Sequence, residues 1–149
     1  MENSLRIAEP VALARSRGAH RYEAFSPKLS RRLTLYTRPA LEQWILLEAN
    51  AAVVTFCERP GYVQFDGHQR LANFWVRYVD RKDVVFLNDS RVDDEISDAS
   101  RELDGKALTI RRVAAAELVA ARVWIDNWLR AAVPYCEPEA RVAVLIETD

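Results

Sequence analysis

The chain has 149 residues, 50% of them apolar and 29% charged, the make-up of one ordinary globular domain and not of a disordered or fibrous protein. Its formal net charge of −1 hides a segregation: residues 1–38 hold eight Lys/Arg against three acids, whereas residues 80–104 hold nine acids against four bases. No apolar run reaches the roughly 18 residues of a membrane span, Glu2, Arg6 and Glu9 interrupt any signal-peptide core, and Cys57 and Cys136 show neither zinc spacing nor disulfide density, so a cytoplasmic protein with two plain thiols is expected.

Residues 1–30, with Ser16-Arg17-Gly18 and Ser26-Pro27-Lys28, lack apolar periodicity and read as a flexible basic arm ahead of a single domain over 31–149. A helix is expected at about Pro39 to Asn50, where Pro39 suits the first turn and Leu41, Trp44, Ile45, Leu47 and Glu48 make a mostly apolar face. Strands follow at Ala51 to Cys57 and Tyr62 to Phe65, split by Arg59-Pro60-Gly61. Asp66-Gly67-His68-Gln69 turns the chain into an alternating strand over 70–79, and Val84 to Leu87 returns from the Asp80-to-Asp83 turn, giving an antiparallel meander of about four strands.

Ser90 to Leu103 is polar and reads as a surface helix closed by Asp104-Gly105. Ala107 to Arg112 predicts a fifth strand and Ala114 to Ala132 a long helix stopped by Pro134. On that helix Leu118, Ala121, Ile125 and Leu129 form one stripe, with Trp124 and Trp128, four residues apart, beside it. A stripe wider than one sheet contact needs suits a subunit interface, so a homodimer through Trp124 and Trp128 is expected, with a core role as the other reading. Residues 138–146 continue as a helix or a short strand.

The arm's cations, Arg15, Arg17, Arg21 and Lys28 with the adjoining Arg31 and Arg32, fit a locally anionic partner, nucleic acid being the commonest. A solvated arm, or one that pairs with the acidic 80–104 segment, fits equally. On the 70–79 strand Asn73, Trp75 and Arg77 share a face and form either a phosphate-contacting, base-stacking platform or part of the core.

In this order the elements resemble the TnsA-type endonuclease subunit of heteromeric transposases, within the restriction-endonuclease-like superfamily. The resemblance rests on Ser26-Pro27-Lys28-Leu29, on Leu41 through Glu48, on Val53 to Phe56, on Glu58-Arg59-Pro60, and on Leu108-Thr109-Ile110 followed by Ile125-Asp126-Asn127. It implies an α/β fold with a mixed sheet of about five strands flanked by helices, a mobile-element or plasmid origin in bacteria, and a transposase-type partner, although the family's C-terminal portion stops short after Ile146.

Such nucleases hold Mg²⁺ between carboxylates and place a lysine to activate water, because residues two apart on a strand share a face. Carried onto this chain, the helical Glu falls on Glu42 or on Ala40, the strand Asp on Asn73, the metal-binding Glu on Phe86 and the Lys on Asn88. Phe86 has no donor atom and Asn88 no charge, so the site resembles a nuclease that does not cut, with no metal, no cofactor and no catalytic residue. The expected protein is a catalytically silent, nucleic-acid-binding homodimer that contacts DNA through Arg15, Arg17, Arg21, Lys28, Arg31, Arg32 and Arg77. The alternatives are a protein-interaction subunit without DNA contact and an active Mg²⁺ nuclease with displaced carboxylates drawn from Glu42, Glu48, Glu58, Asp80 and Asp89.

Overall fold

The computed structural model describes residues 9–12, 20–65, 68–87, 108–135 and 145–147. They fall into two compact units, one from Met1–Leu13 with Ala52–Ala115 and the other from Ala14–Ala51 with Ala116–Asp149.

In the second unit β1 (Arg21–Ser26) and β2 (Arg31–Leu35) form an antiparallel hairpin. Its turn is held by the Ser26 hydroxyl, which accepts the Leu29 amide at 3.2 Å, and by Ser30 in the left-handed region at φ 53°. The alternation that the sequence hides behind charged residues is plain in burial: Tyr22, Ala24 and Ser26 on β1, and Leu33 and Leu35 on β2, are buried. This corrects the sequence reading for residues 20–30, which are a strand and a tight turn and not a mobile arm. Helix α1 (Arg38–Ala49) starts where Thr37 accepts the Ala40 amide at 3.2 Å, the N-cap bond that satisfies an orphan helix donor. It buries Leu41, Trp44, Ile45 and Leu47. Helix α2 (Ala115–Tyr135) buries Leu118 and Ile125 and ends one residue beyond Pro134. A short strand, Leu145–Glu147, pairs antiparallel with β1, which decides helix against strand at that position.

The first unit is built on a four-stranded mixed sheet of β3 (Val53–Glu58), β6 (Phe74–Tyr78), β7 (Lys82–Leu87) and β8 (Leu108–Val113), in that spatial order. The first three form an antiparallel meander and β8 runs parallel to β7. Parallel neighbours need a crossover; residues 88–107, where the sequence places a surface helix, lie outside the described residues. The chain is mixed α/β as expected, and among the described residues its largest sheet has four strands. The long alternating run 70–79 splits: Ala72 donates its amide to Gly61, just ahead of Tyr62, and Asn73 donates its amide to Val85 of β7. The result is a separate two-stranded hairpin, β4 (Tyr62–Phe65) with β5 (His68–Leu71), entered through Gly61 at φ 148°, a conformation that favours glycine.

Cys57, Val63, Ala72, Trp75, Val84, Phe86 and Ile110 form one buried cluster that joins this hairpin to one face of the main sheet. The opposite face buries Phe56, Phe74, Val76 and Val85, with Phe56 and Phe74 edge to face at 6.3 Å. A sheet buried on both faces reads as continuous apolar runs, which is why Phe74-Trp75-Val76 and Val84-Val85-Phe86 occur.

Candidate functional site

Asn73 and Phe86, onto which the sequence resemblance carries a strand Asp and a metal-binding Glu, come together in the first unit. Asn73 stands just before β6, its amide donates to the Val85 carbonyl at 2.9 Å, and its Oδ1 accepts the Leu87 amide at 2.9 Å. It therefore grips β7 on both sides of Phe86. Phe86 itself is 6% exposed and belongs to the hairpin cluster, and the Arg70 guanidinium lies 5.8 Å above its ring, a cation–π distance. Arg112 is the register partner of Phe86 on β8. Phe86 is thus an aromatic core residue with one guanidinium above its ring and a second arginine as its register partner across the strands.

Glu42 belongs to the second unit. It is 2% exposed, and its Oε1 is held by Arg38 at 3.0 Å and by Arg122 of α2 at 3.6 Å. Arg38 also reaches Asp126 at 3.4 Å. Thus α1 and α2 are joined by a carboxylate that two guanidinia already neutralise. Ala40 is also buried. Asn88, Asp89 and Cys136 lie outside the described residues.

Of the other carboxylates, Glu48 accepts from the Ser26 hydroxyl at 2.6 Å, the Lys28 amide at 2.8 Å and the Trp44 indole at 3.3 Å. Glu58 is buried on β3 and Asp80 is exposed in a turn. Among the described residues no group of three or more His, Cys, Asp or Glu is placed to hold a metal ion.

Several of the cations assigned to nucleic acid are held within the fold. Lys28 donates its ammonium to the carbonyls of Leu47 at 2.9 Å and Asn50 at 2.6 Å, closing the C-terminal end of α1, where a cation complements the helix dipole. Burial lowers its pKa from the ordinary lysine value and the nearby Glu48 raises it in part. Lys28 is thus a helix cap and not a free phosphate ligand. Arg21 is paired with Glu23, and Arg31 donates to the Arg32 carbonyl at 3.3 Å. Arg32 and Arg77 are exposed. Arg15 and Arg17 lie outside the described residues, whereas Val11 of the same segment is docked, exchanging bonds with Arg59 at 2.8 and 3.1 Å.

Trp75 is 5% exposed inside the hairpin cluster, so it is core and no base can stack on it. Trp128 meets Trp44 edge to face at 6.2 Å and is half-buried, whereas Trp124 is 48% exposed. Beside Trp124 on α2 stand Val119, 56% exposed, and Val123, 74% exposed. A groove of about 410 Å³ runs between Trp124, Ala121, the α1 residues Leu46 and Ala49, and the C-cap Asn50. Sequence reasoning missed the two valines because it sought a second apolar stripe in the tryptophans alone. It also missed Arg70 and Arg112, which reach Phe86 only through pairing with other strands.

No protein-family profile matches the chain, and no curated protein matches it.

Proposed function

We propose that the protein is a catalytically silent relative of the restriction-endonuclease-like, TnsA-type nucleases that binds duplex DNA without cutting it. One observation supports this reading: Phe86, where the resemblance would put the metal-binding Glu, is packed in the core, with Asn73 bonded to the backbone on either side of it. A site so built offers Mg²⁺ no anionic ligand at Asn73 or Phe86, and Arg70 and Arg112 stand beside it. Phosphate oxygens are the natural partner of such a surface. A meander of three strands with a fourth added in parallel, preceded by α1 and followed by α2, is also in keeping with that superfamily.

The test is a supercoiled plasmid titrated with the full chain in the presence and absence of Mg²⁺. The expected outcome is a gel shift that weakens with salt and no nicked product. Mg²⁺-dependent nicking that disappears in Glu42→Ala would establish an active nuclease instead. A salt-independent absence of any shift would leave the chain as a protein-interaction subunit.

The exposed apolar face of α2, formed by Val119, Val123 and Trp124, favours a second element of the reading: a homodimer across α2. Large side chains side by side on a helix surface mark association sites more often than solvated ones, and a two-fold axis across α2 covers the same residues on both copies.

A further inference from the structure

The strand register sorts the charges of the main sheet by face. Cys57, Trp75, Val84, Phe86 and Ile110 point toward the β4–β5 hairpin. Alternation therefore puts Thr55, Arg77, Lys82, Leu108 and Arg112 on that same face, and puts Glu58 and Asp83 on the other. Within the four strands the hairpin side carries three cations and no carboxylate.

Arg77 and Lys82 are direct register partners across β6 and β7, and both are exposed. Like charges placed opposite one another destabilise a sheet. The adjoining turn shows what a satisfied cation looks like here. Arg81 lies 3.4 Å from Asp83 and 4.1 Å above the Tyr78 ring, and Asp83 raises its pKa above the usual arginine value. Arg77 and Lys82, on the opposite side of the same hairpin, have no acid on their face of the sheet among the described residues. Four residues along β7 from Lys82, Arg112 pairs with Phe86 and Arg70 covers its ring. At the ~3.3 Å rise of a strand the two cationic rows are about 13 Å apart, near the ~12 Å width of a major groove.

We infer that Arg77 with Lys82, and Arg70 beyond them, form a two-row phosphate-contact surface that straddles a groove of duplex DNA. This rests on the nucleic-acid reading above and locates it on the sheet. The apolar cluster between the rows is covered by the β4–β5 hairpin, which exposes Tyr62 and Gln69. A two-stranded ribbon is one of the elements a major groove admits.

The experiment measures affinity of the full chain for a random-sequence duplex and its single strand across a salt series, for wild type, Arg77→Ala with Lys82→Ala, and Arg70→Ala. Melting without DNA is measured alongside. The double variant is expected to melt no lower than wild type, because a like-charge pair has been removed, and to flatten the slope of log K against log salt by about 1.8. Arg70→Ala is expected to flatten it by about 0.9. If wild type binds and the double variant keeps the wild-type slope and affinity, the two-row surface is wrong while DNA binding stands. Tighter binding of the single strand overturns the groove-straddling geometry. If wild type binds neither, both readings fall together.

Discussion

Asn73 and Leu87 are joined across the edge of β7 by a 2.9 Å bond from the Leu87 amide to the Asn73 carboxamide oxygen. The Asn73 carboxamide has thereby become part of the sheet. Asn73→Ala removes the acceptor and leaves the Leu87 amide unpaired, so a loss of about 1–2 kcal/mol in denaturant unfolding is expected. Asn73→Asp keeps an oxygen at that position, and it should fold with near wild-type stability. It should also produce no nicking in Mg²⁺ or Mn²⁺, because Phe86 still offers no ligand. Cutting by that single variant would show that Phe86 does not occupy the metal-binding position.

The Glu42 carboxylate supplies a second test. It is buried while its partners Arg38 and Arg122 remain about half exposed, so water screens the pairs and each arginine contributes modestly. Arg122→Ala is expected to cost under about 1 kcal/mol. Arg38→Ala with Arg122→Ala leaves a buried carboxylate without its two cations, and a loss of about 3 kcal/mol is expected. Chemical denaturation of the four chains in this cycle checks both values. Additive singles would show that the two arginines do not share Glu42.

Lys28 is expected to act on stability and hardly at all on DNA. Lys28→Met removes two bonds to carbonyls at the end of α1, a loss of about 1 kcal/mol. Because burial lowers the folded-state pKa, the unfolded chain binds more protons between that value and the ordinary 10.5. Stability conferred by this group therefore rises with pH across that window. Wild type should gain on Lys28→Met as pH increases toward 10.5. A gap that narrows instead would mean that the ammonium is favoured, not disfavoured, by its place in the fold.

Assembly is tested on the valine side of α2. Val123→Lys with Trp124→Lys alters only exposed positions, so a folded chain at half the wild-type light-scattering mass is expected at micromolar concentration. Trp128 is unsuited to that test: its contact with Trp44 means that Trp128→Ala should lower stability by about 1 kcal/mol or more. A wild-type mass of one chain would remove the dimer.

Elements with strong period were legible from sequence. The α1 face of Leu41, Trp44, Ile45 and Leu47, the β7 run Val84 to Phe86, and the Leu118 and Ile125 stripe lie where alternation or helical spacing places them. The β1–β2 hairpin was not legible, because Arg21, Glu23, Arg31 and Arg32 occupy its outward positions and break the apolar signal that a strand usually carries. The split at Ala72-Asn73 was hidden too: alternation continues through it, and only the change of backbone partner from Gly61 to Val85 marks the boundary. At the site, the resemblance drew attention to Phe86 and Asn73. Lys82 opposite Arg77 was not, since a cross-strand neighbour is a property of register and not of sequence.

The strand at Leu145–Glu147 pairs with residues 21–23 of β1, so the three-stranded sheet joins segments separated by most of the chain. Loop closure over such a span adds little to the equilibrium cost, since that cost grows only with the logarithm of length. It matters more for order of events. On the ribosome β1 and β2 emerge early and must persist with one edge of β1 unpaired until residue 147 has been made, and an edge left open is a template for pairing with another chain. Slow completion and a window for misassembly during synthesis follow from that one long-range pairing.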